Sequence, residues 1–322
     1  MKILVTGAGG FIGQFLAREL LNDPSHQLIL TDVVEFSVPR GSKHPKNATV
    51  VKADLSEDRS VVTSDLNAIY LFHGIMSAGS EANFDLGLKV NLDVTRAVLD
   101  DIRRICPGIR VIYSSSLAVY GRPFPDVMTE DVFPTPEGSY GAQKLICEVL
   151  INDMTRRGLI DGFILRFPTI SVRPGKPTAA ASSFISGIIR EPLARTECVL
   201  PIKDRSFPSW VCSPRTLISN LIHTLSVPSD ALPSHKRAVN APGRLATIQD
   251  MLDALEKVAG KEFLQYVKEE HDEALAKILY SWAGSFDNSL AYSLGYKADA
   301  SFEQAVRDYL DFLDEQGKIS DS

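Results

Sequence analysis

A tyrosine and a lysine stand four residues apart in SYGAQKLICEVL, at Tyr140 and Lys144, with helical apolar spacing running on behind them. Residues i and i+4 of a helix share a face, so a phenol and an ammonium can converge there on one bound molecule. The phenol's ordinary pKa near ~10 is too high for a base at neutral pH, and a neighbouring cation favours the phenolate. Upstream, Ser116 closes the apolar run IRVIYSSS, where a hydroxyl can hold the oxygen of an alcohol. A hydride leaves an alcohol carbon only as the hydroxyl proton is taken. The set therefore reads as Tyr140 the base, Ser116 the positioning hydroxyl, and Lys144 the cation that tunes the tyrosine and hydrogen-bonds a nicotinamide ribose.

Such chemistry needs a dinucleotide, and TGAGGFIG places Gly7, Gly10 and Gly13 three apart between a strand-like KILVTG and a helix-like FIGQFLAREL. The first two glycines let backbone N–H groups approach a pyrophosphate at the helix start; the third lets helix and strand pack closely. Phe11 and Ile12, between the last two, are counted with them as cofactor-binding. Asp32 ends the next apolar run, where its carboxylate can accept from the adenosine ribose hydroxyls and repel a 2′-phosphate. No Arg or Lys follows before Arg40, so NAD is expected rather than NADP. Asp54 and Leu55, at the end of the third run, are expected to flank the adenine.

Those residues need a scaffold. Apolar runs at 2–6, 27–32, 48–55, 66–72, 109–116 and 162–168 alternate with helical patterns, the longest over 83–105 with Leu86, Val90, Val94, Ala97 and Leu99 near one stripe. Strands buried on both faces and alternating with helices predict an α/β fold, a doubly wound parallel sheet of Rossmann type, with ligands at the carboxyl ends of the strands. Residues 1–170 are read as the NAD-binding domain, the chain returning to it around 211–240. Residues 171–322, broken by RPGKP, REPL, LPIKDRSFPSW and NAPGRLA, are read as a smaller mixed α/β substrate lobe with helices near 179–190, 214–225, 247–258 and 268–279.

Composition narrows the partners. A formal net charge of -6 without a basic stripe argues against nucleic acid. The four scattered cysteines and lone His73 and His223 lack metal-ligand spacing, so no metal is expected, the thiols read as reduced and the histidines as structural. No stretch approaches the ~20 apolar residues of a membrane span, and the start lacks a signal-peptide pattern; a cytoplasmic enzyme is expected.

Gly7, Gly10 and Gly13, then Ser116 before VYG, then Tyr140 and Lys144, together resemble the extended short-chain dehydrogenase/reductase family over about residues 1–170. That resemblance implies that Gly74, Asn91, Ser114 and the stretch Arg166 to Ile170, with Pro168 and Ile170 in it, lie along the cofactor. It also implies that Asn91 supports a proton relay to Lys144, and that long helices near 83–105 and 139–157 pair in a homodimer. Leu117 and Ala118 stand where dehydratases of the family carry an acidic pair. RSFPSWVCSP, with Arg205 and Trp210, differs from the segment that serves a nucleotide diphosphate in epimerases. Residues 173–193 are similar to members that oxidise a four-carbon sugar acid at C2. The substrate set is then Ser77, Ser116, Tyr140, Arg173 and Ser182, Arg173 being the candidate for the substrate carboxylate because a guanidinium grips one bidentately. Met76, Phe184 and Trp210 are candidate pocket walls. An NAD-retaining nucleotide-sugar epimerase and a non-catalytic NAD-sensing regulator are the alternatives.

Overall fold

The computed structural model describes residues 1–177 and 181–315; Thr178, Ala179 and Ala180, and with them the expected start of a helix near 179, lie outside the described residues. Contacts divide the chain into two units. The first comprises Met1–Tyr120, Glu130–Phe167 and Ile218–Asn240, and the second Gly121–Thr129, Pro168–Leu217 and Ala241–Ser322.

In the first unit, strands β1 (Lys2–Thr6), β2 (Gln27–Asp32), β3 (Ala48–Lys52), β4 (Ala68–Leu71), β5 (Arg110–Ser116), β6 (Asp161–Phe167) and β7 (Ala238–Asn240) form one sheet. Their order is β7-β6-β5-β4-β1-β2-β3, and every neighbouring pair is parallel. This is the Rossmann-type α/β sheet, with the order reversing between β1 and β4. Ile3, Leu4, Val5, Ile69, Leu71, Val111 and Ile164 are fully buried, which explains the unalternating apolar runs.

Helices α1 (Phe11–Leu20), α2 (Thr95–Ile105) and α3 (Ser139–Arg156) follow the first, fourth and fifth strands. Before α2 the chain is not the single helix expected from residue 83. A short turn, Phe84–Gly87, leads into wide π-helical turns over Leu88–Val94. The extra residue of a π turn rotates the apolar stripe out of phase, so Val94 and Leu99 are buried whereas Leu86 is 43% exposed. Strand β3 stops at Lys52, short of the expected Leu55, and Asp54 begins a turn in which its carboxylate accepts from the Ser56 N–H at 2.8 Å.

The second unit has a three-stranded sheet of Arg244–Thr247, Pro208–Cys212 and Thr169–Ile170, and a parallel pair of Val267–Glu269 with Cys198–Leu200. Helices Ser183–Leu193, Ile248–Ala259 and Phe302–Glu315 bury Ile185, Ile188, Met251, Leu255 and Val306 against one another. Among the described residues no helix is long and apolar enough to cross a membrane.

Candidate active site

The glycine turn follows directly from β1. Gly7 has φ +65°, and a Cβ there would stand 2.7 Å from the backbone carbonyl of Phe72, so only glycine fits both the conformation and the space. A Cβ on Gly13 would meet the Gly7 carbonyl oxygen at 2.4 Å, which is the close helix–strand packing read from the sequence. Gly10 is the N-cap of α1, so the N–H groups of Phe11 and Ile12 in its first turn have no intrahelical acceptor. Asp32 turns back onto this loop: its Oδ2 accepts from the Gly9 N–H at 2.9 Å and its Oδ1 from the Val34 N–H at 3.3 Å. A pyrophosphate over the helix start and a ribose beside the carboxylate fit this cradle. Leu55 is buried in the core, while Asp54 is exposed.

The end of β4 carries a second layer. The Thr6 hydroxyl accepts from the Phe72 N–H at 3.0 Å and lies 2.9 Å from His73 Nδ1; the other ring nitrogen lies 3.1 Å from Thr95 Oγ1. Burial and the Lys144 ammonium push His73 down to about 3, so the ring is neutral and ties β1 to α2. Asn91, in the π turns, is buried and clamps the backbone of Ile75: Oδ1 accepts its N–H at 2.7 Å and Nδ2 donates to its carbonyl at 3.0 Å. Nδ2 also reaches Ser80 Oγ at 3.0 Å and Gln143 Oε1 at 2.7 Å. Among the described residues no direct hydrogen bond joins Asn91 to Lys144, and the Asn91 side chain anchors the Ile75 backbone. A Cβ on Gly74 would lie 2.9 Å from Asn91 Oδ1 and 3.9 Å from Lys144 Nζ, which leaves only glycine room between them.

Tyr140 lies in the first turn of α3 and Lys144 one turn on, as their spacing predicts. The buried Lys144 ammonium donates to the Ser114 carbonyl at 2.7 Å, sits 4.7 Å above the Tyr113 ring and 5.5 Å from the centre of the Tyr140 ring. Ser114 itself is buried, its hydroxyl donating to the Leu71 carbonyl at 3.0 Å. Burial pushes Tyr140 up to about 12 and Lys144 down to about 8. Desolvation is the cause of the Tyr140 shift and the largest cause at Lys144, so burial rather than the neighbouring ammonium sets the direction at the phenol. Ser116 caps the turn that follows β5, accepting from the Ala118 N–H at 3.1 Å.

Several residues of this site were not read from the sequence. Gly141 is the clearest: a Cβ there would stand 2.0 Å from the Ala118 carbonyl oxygen, so glycine lets the Tyr140 turn press against the turn beginning at Ser116. A glycine inside a helix is unfavourable by itself, and that was the available signal. Arg166, expected along the cofactor, instead points inward and is paired bidentately with Glu148, at 2.9 and 2.6 Å.

In the second unit, Arg173 and Ser182 meet, with Arg173 Nη2 to Ser182 Oγ at 3.4 Å. The Arg173 backbone is held by Ser186 Oγ and by Arg190, whose guanidinium donates to its carbonyl at 2.9 Å. Burial and the nearby Arg190 charge lower the Arg173 pKa, and among the described residues no carboxylate pairs with it. Pro168 and Ile170 are buried in this unit, as is Phe184. The Trp210 ring packs 5.7 Å from Phe286. Met76 and Ser77, in the first unit, are exposed at the start of the short helix Ser77–Ala82. No group of metal-ligating side chains occurs among the described residues.

A Rossmann sheet, a dinucleotide cradle and a buried Tyr/Lys helix define a nicotinamide-dependent enzyme class. Residues 3–204 match the NAD dependent epimerase/dehydratase family, and the chain belongs to that family, the extended short-chain dehydrogenases/reductases, with NAD as cofactor. It is 38% identical to the D-erythronate dehydrogenase of Haemophilus influenzae over 97% of this chain and 99% of the relative. It is 39% identical to that of Cupriavidus necator over 97% of this chain and 98% of the relative. Among solved structures, a nucleoside-diphosphate-sugar epimerase from Agrobacterium tumefaciens superposes with a TM-score of 0.90 at 36% identity, covering 99% of this chain and 95% of that one.

Proposed function

We propose that the protein is an NAD-dependent dehydrogenase that oxidises the C2 hydroxyl of a short sugar acid, D-erythronate to 2-dehydro-D-erythronate. Near full-length similarity to two D-erythronate dehydrogenases carries this reading. The site supports it through a buried Lys144 fixed on the Ser114 carbonyl, one helical turn from Tyr140, whose hydroxyl has no partner among the described residues.

In this reading Ser116 hydrogen-bonds the reacting hydroxyl and Tyr140 takes its proton. NAD, when bound, accepts the hydride from the same carbon and brings a positive charge. Burial raises the Tyr140 pKa to about 12, and a positive nicotinamide bound nearby would oppose that shift. Lys144, protonated below about 8, hydrogen-bonds the cofactor ribose and favours the phenolate. Arg173, without a protein carboxylate, grips the substrate carboxylate beside Ser182, and Ser77 adds a hydroxyl contact. Residues 1–170 would then serve the cofactor and 171–322 the substrate. Exposed Ile146 and Val149 on α3 mark the face through which a homodimer would form. Four unpaired, buried thiols suit a cytoplasmic protein.

Similarity to the Agrobacterium tumefaciens epimerase favours a second reading, an NAD-retaining epimerase of nucleotide sugars. Continuous turnover with D-erythronate and related aldonic acids decides between them. The dehydrogenase accumulates NADH, seen in its near-ultraviolet absorbance, in proportion to acid consumed. Conversion of a UDP-sugar to its epimer with no NADH, and none from any aldonic acid, would overturn the first reading.

A further inference from the structure

One buried ion pair has no part in the chemistry just described. Glu148 lies on α3 one turn beyond Lys144, on the same face, and both are buried. Its carboxylate receives the Arg166 guanidinium at 2.9 and 2.6 Å and the Ser115 hydroxyl at 2.5 Å. Register explains the convergence. Ser115 of β5, Arg166 of β6 and Asn240 of β7 are direct neighbours across three parallel strands, so their side chains leave one face of the sheet in a row. Arg166 also donates to Tyr120 Oη at 2.6 Å, and that hydroxyl donates to Asn240 Oδ1 at 3.0 Å. The row thus reaches from β7 to the residue after the turn that Ser116 caps.

Ser114, Ser115 and Ser116 are consecutive, and the first two are tied to α3. The Ser114 carbonyl takes the Lys144 ammonium and Ser115 takes Glu148, one helical turn apart. Two attachments fix both the position and the rotation of a strand end against a helix, where one would leave it free to pivot. Ser116 follows directly, and Tyr140 stands one turn before Lys144.

We propose that Glu148 is a positioning residue: gripped by Arg166, its carboxylate hooks Ser115 and locks the Ser114–Ser116 strand end against the helix carrying Tyr140 and Lys144. The proposal rests on the Ser/Tyr/Lys reading above. Glu148 also stands among the groups that face Lys144, which are Tyr113 from β5, His73 from the β4 loop, and Tyr140, Cys147 and Glu148 from α3. Burial lowers the Lys144 pKa, while Cys147 and Glu148 oppose that shift.

Two variants separate geometry from charge. Ser115→Ala removes the hook and leaves the ion pair intact; kcat falls about fivefold or more, KM for NAD stays within twofold, and the pH profile keeps its position. Glu148→Gln keeps a side chain of the same shape but removes the charge. The alkaline limb of kcat/KM moves down by about one pH unit, and Glu148→Asp restores the limb without restoring kcat. Should Glu148→Gln fail to fold, Ser115→Ala decides alone, and wild-type kcat in it overturns the proposal. So does an unmoved alkaline limb in folded Glu148→Gln. Tyr140→Phe serves as the control: turnover retained there defeats the Ser/Tyr/Lys reading itself, whereas an inactive Tyr140→Phe beside unaffected Ser115 and Glu148 variants defeats only the hook.

Discussion

At the strand ends of the first unit, three polar side chains around the Tyr140–Lys144 turn are each tied down by several hydrogen bonds. Asn91 uses its oxygen and its amide on Ile75, Ser80 and Gln143, His73 spans Thr6 and Thr95, and Glu148 holds Arg166 and Ser115. The second unit's polar cluster is built otherwise. Arg190 is satisfied by Glu191, at 2.6 Å, but Arg173 beside it has one long contact to Ser182 and no carboxylate. A half-buried guanidinium carries a desolvation cost that no anion among the described residues offsets. In the proposed function Arg173 and Tyr140 are the residues that a substrate would engage. Asn91, His73 and Glu148, each with several partners, hold the surrounding backbone and strand ends in place.

The largest effect that tests this contrast is at Arg173. Charge-assisted hydrogen bonds contribute ~1.5–3 kcal/mol each, so Arg173→Met is expected to raise KM for the acid by roughly 10–100-fold while leaving KM for NAD unchanged. Methionine keeps most of the apolar volume. Steady-state kinetics with D-erythronate at varied concentration check it, and an unaltered KM for the acid would remove Arg173 from the substrate site.

A smaller effect, but one whose sign is decisive, belongs to Gly141. Helix propensity alone makes Gly→Ala stabilising by up to ~1 kcal/mol. The Ala118 carbonyl 2.0 Å from the would-be Cβ reverses that, since overpacking costs ~1–3 kcal/mol. Gly141→Ala is therefore expected to lower the midpoint of urea unfolding and, because Tyr140 is displaced with its turn, to reduce kcat more than it alters KM for NAD. A more stable, fully active variant would show that the two turns do not need this contact.

Which of these features could be read beforehand follows from how local they are. Gly7, Gly10 and Gly13, and the pair Tyr140 and Lys144, are fixed by spacing within one turn or one helix, so their backbone placement was legible. The parallel sheet was legible too, because strands buried on both faces show as unbroken apolar runs such as AIYL and RVIYS. Glu148 with Arg166 was not, since their meeting depends on the register of β5 against β6 and on which face of α3 lies over that row. The role of Gly141 was hidden in the same way, since the Ala118 carbonyl beneath it belongs to another element. The π turns at Leu88–Val94 were invisible because one extra residue leaves composition unchanged while turning the apolar stripe. The balance at Tyr140 was hidden for a related reason: sequence gives the distance to a charge along the helix but not the burial that opposes it.

The smallest expected effect concerns His73, read from the sequence as a structural histidine. Its pKa in the folded protein is about 3 against 6.5 when unfolded, with burial the main cause and Lys144 second. The unfolded chain therefore binds the additional proton between these values, so stability from this group is complete above pH ~6.5 and is lost as pH falls toward 3, by at most ~1.4 kcal/mol per pH unit. Between pH 7 and 5.5 that amounts to about 1 kcal/mol. His73→Phe loses the bonds to Thr6 and Thr95 and is less stable at pH 7, yet its stability should fall less steeply on acidification than that of the wild type. Urea titrations of both proteins at pH 7, 6.2 and 5.5 measure the two slopes. Parallel lines would mean that His73 takes up its proton without disturbing the β1–α2 tie. The neutral ring would then not be what holds Thr6, and the Gly7 turn after it, against the helix that follows Asn91.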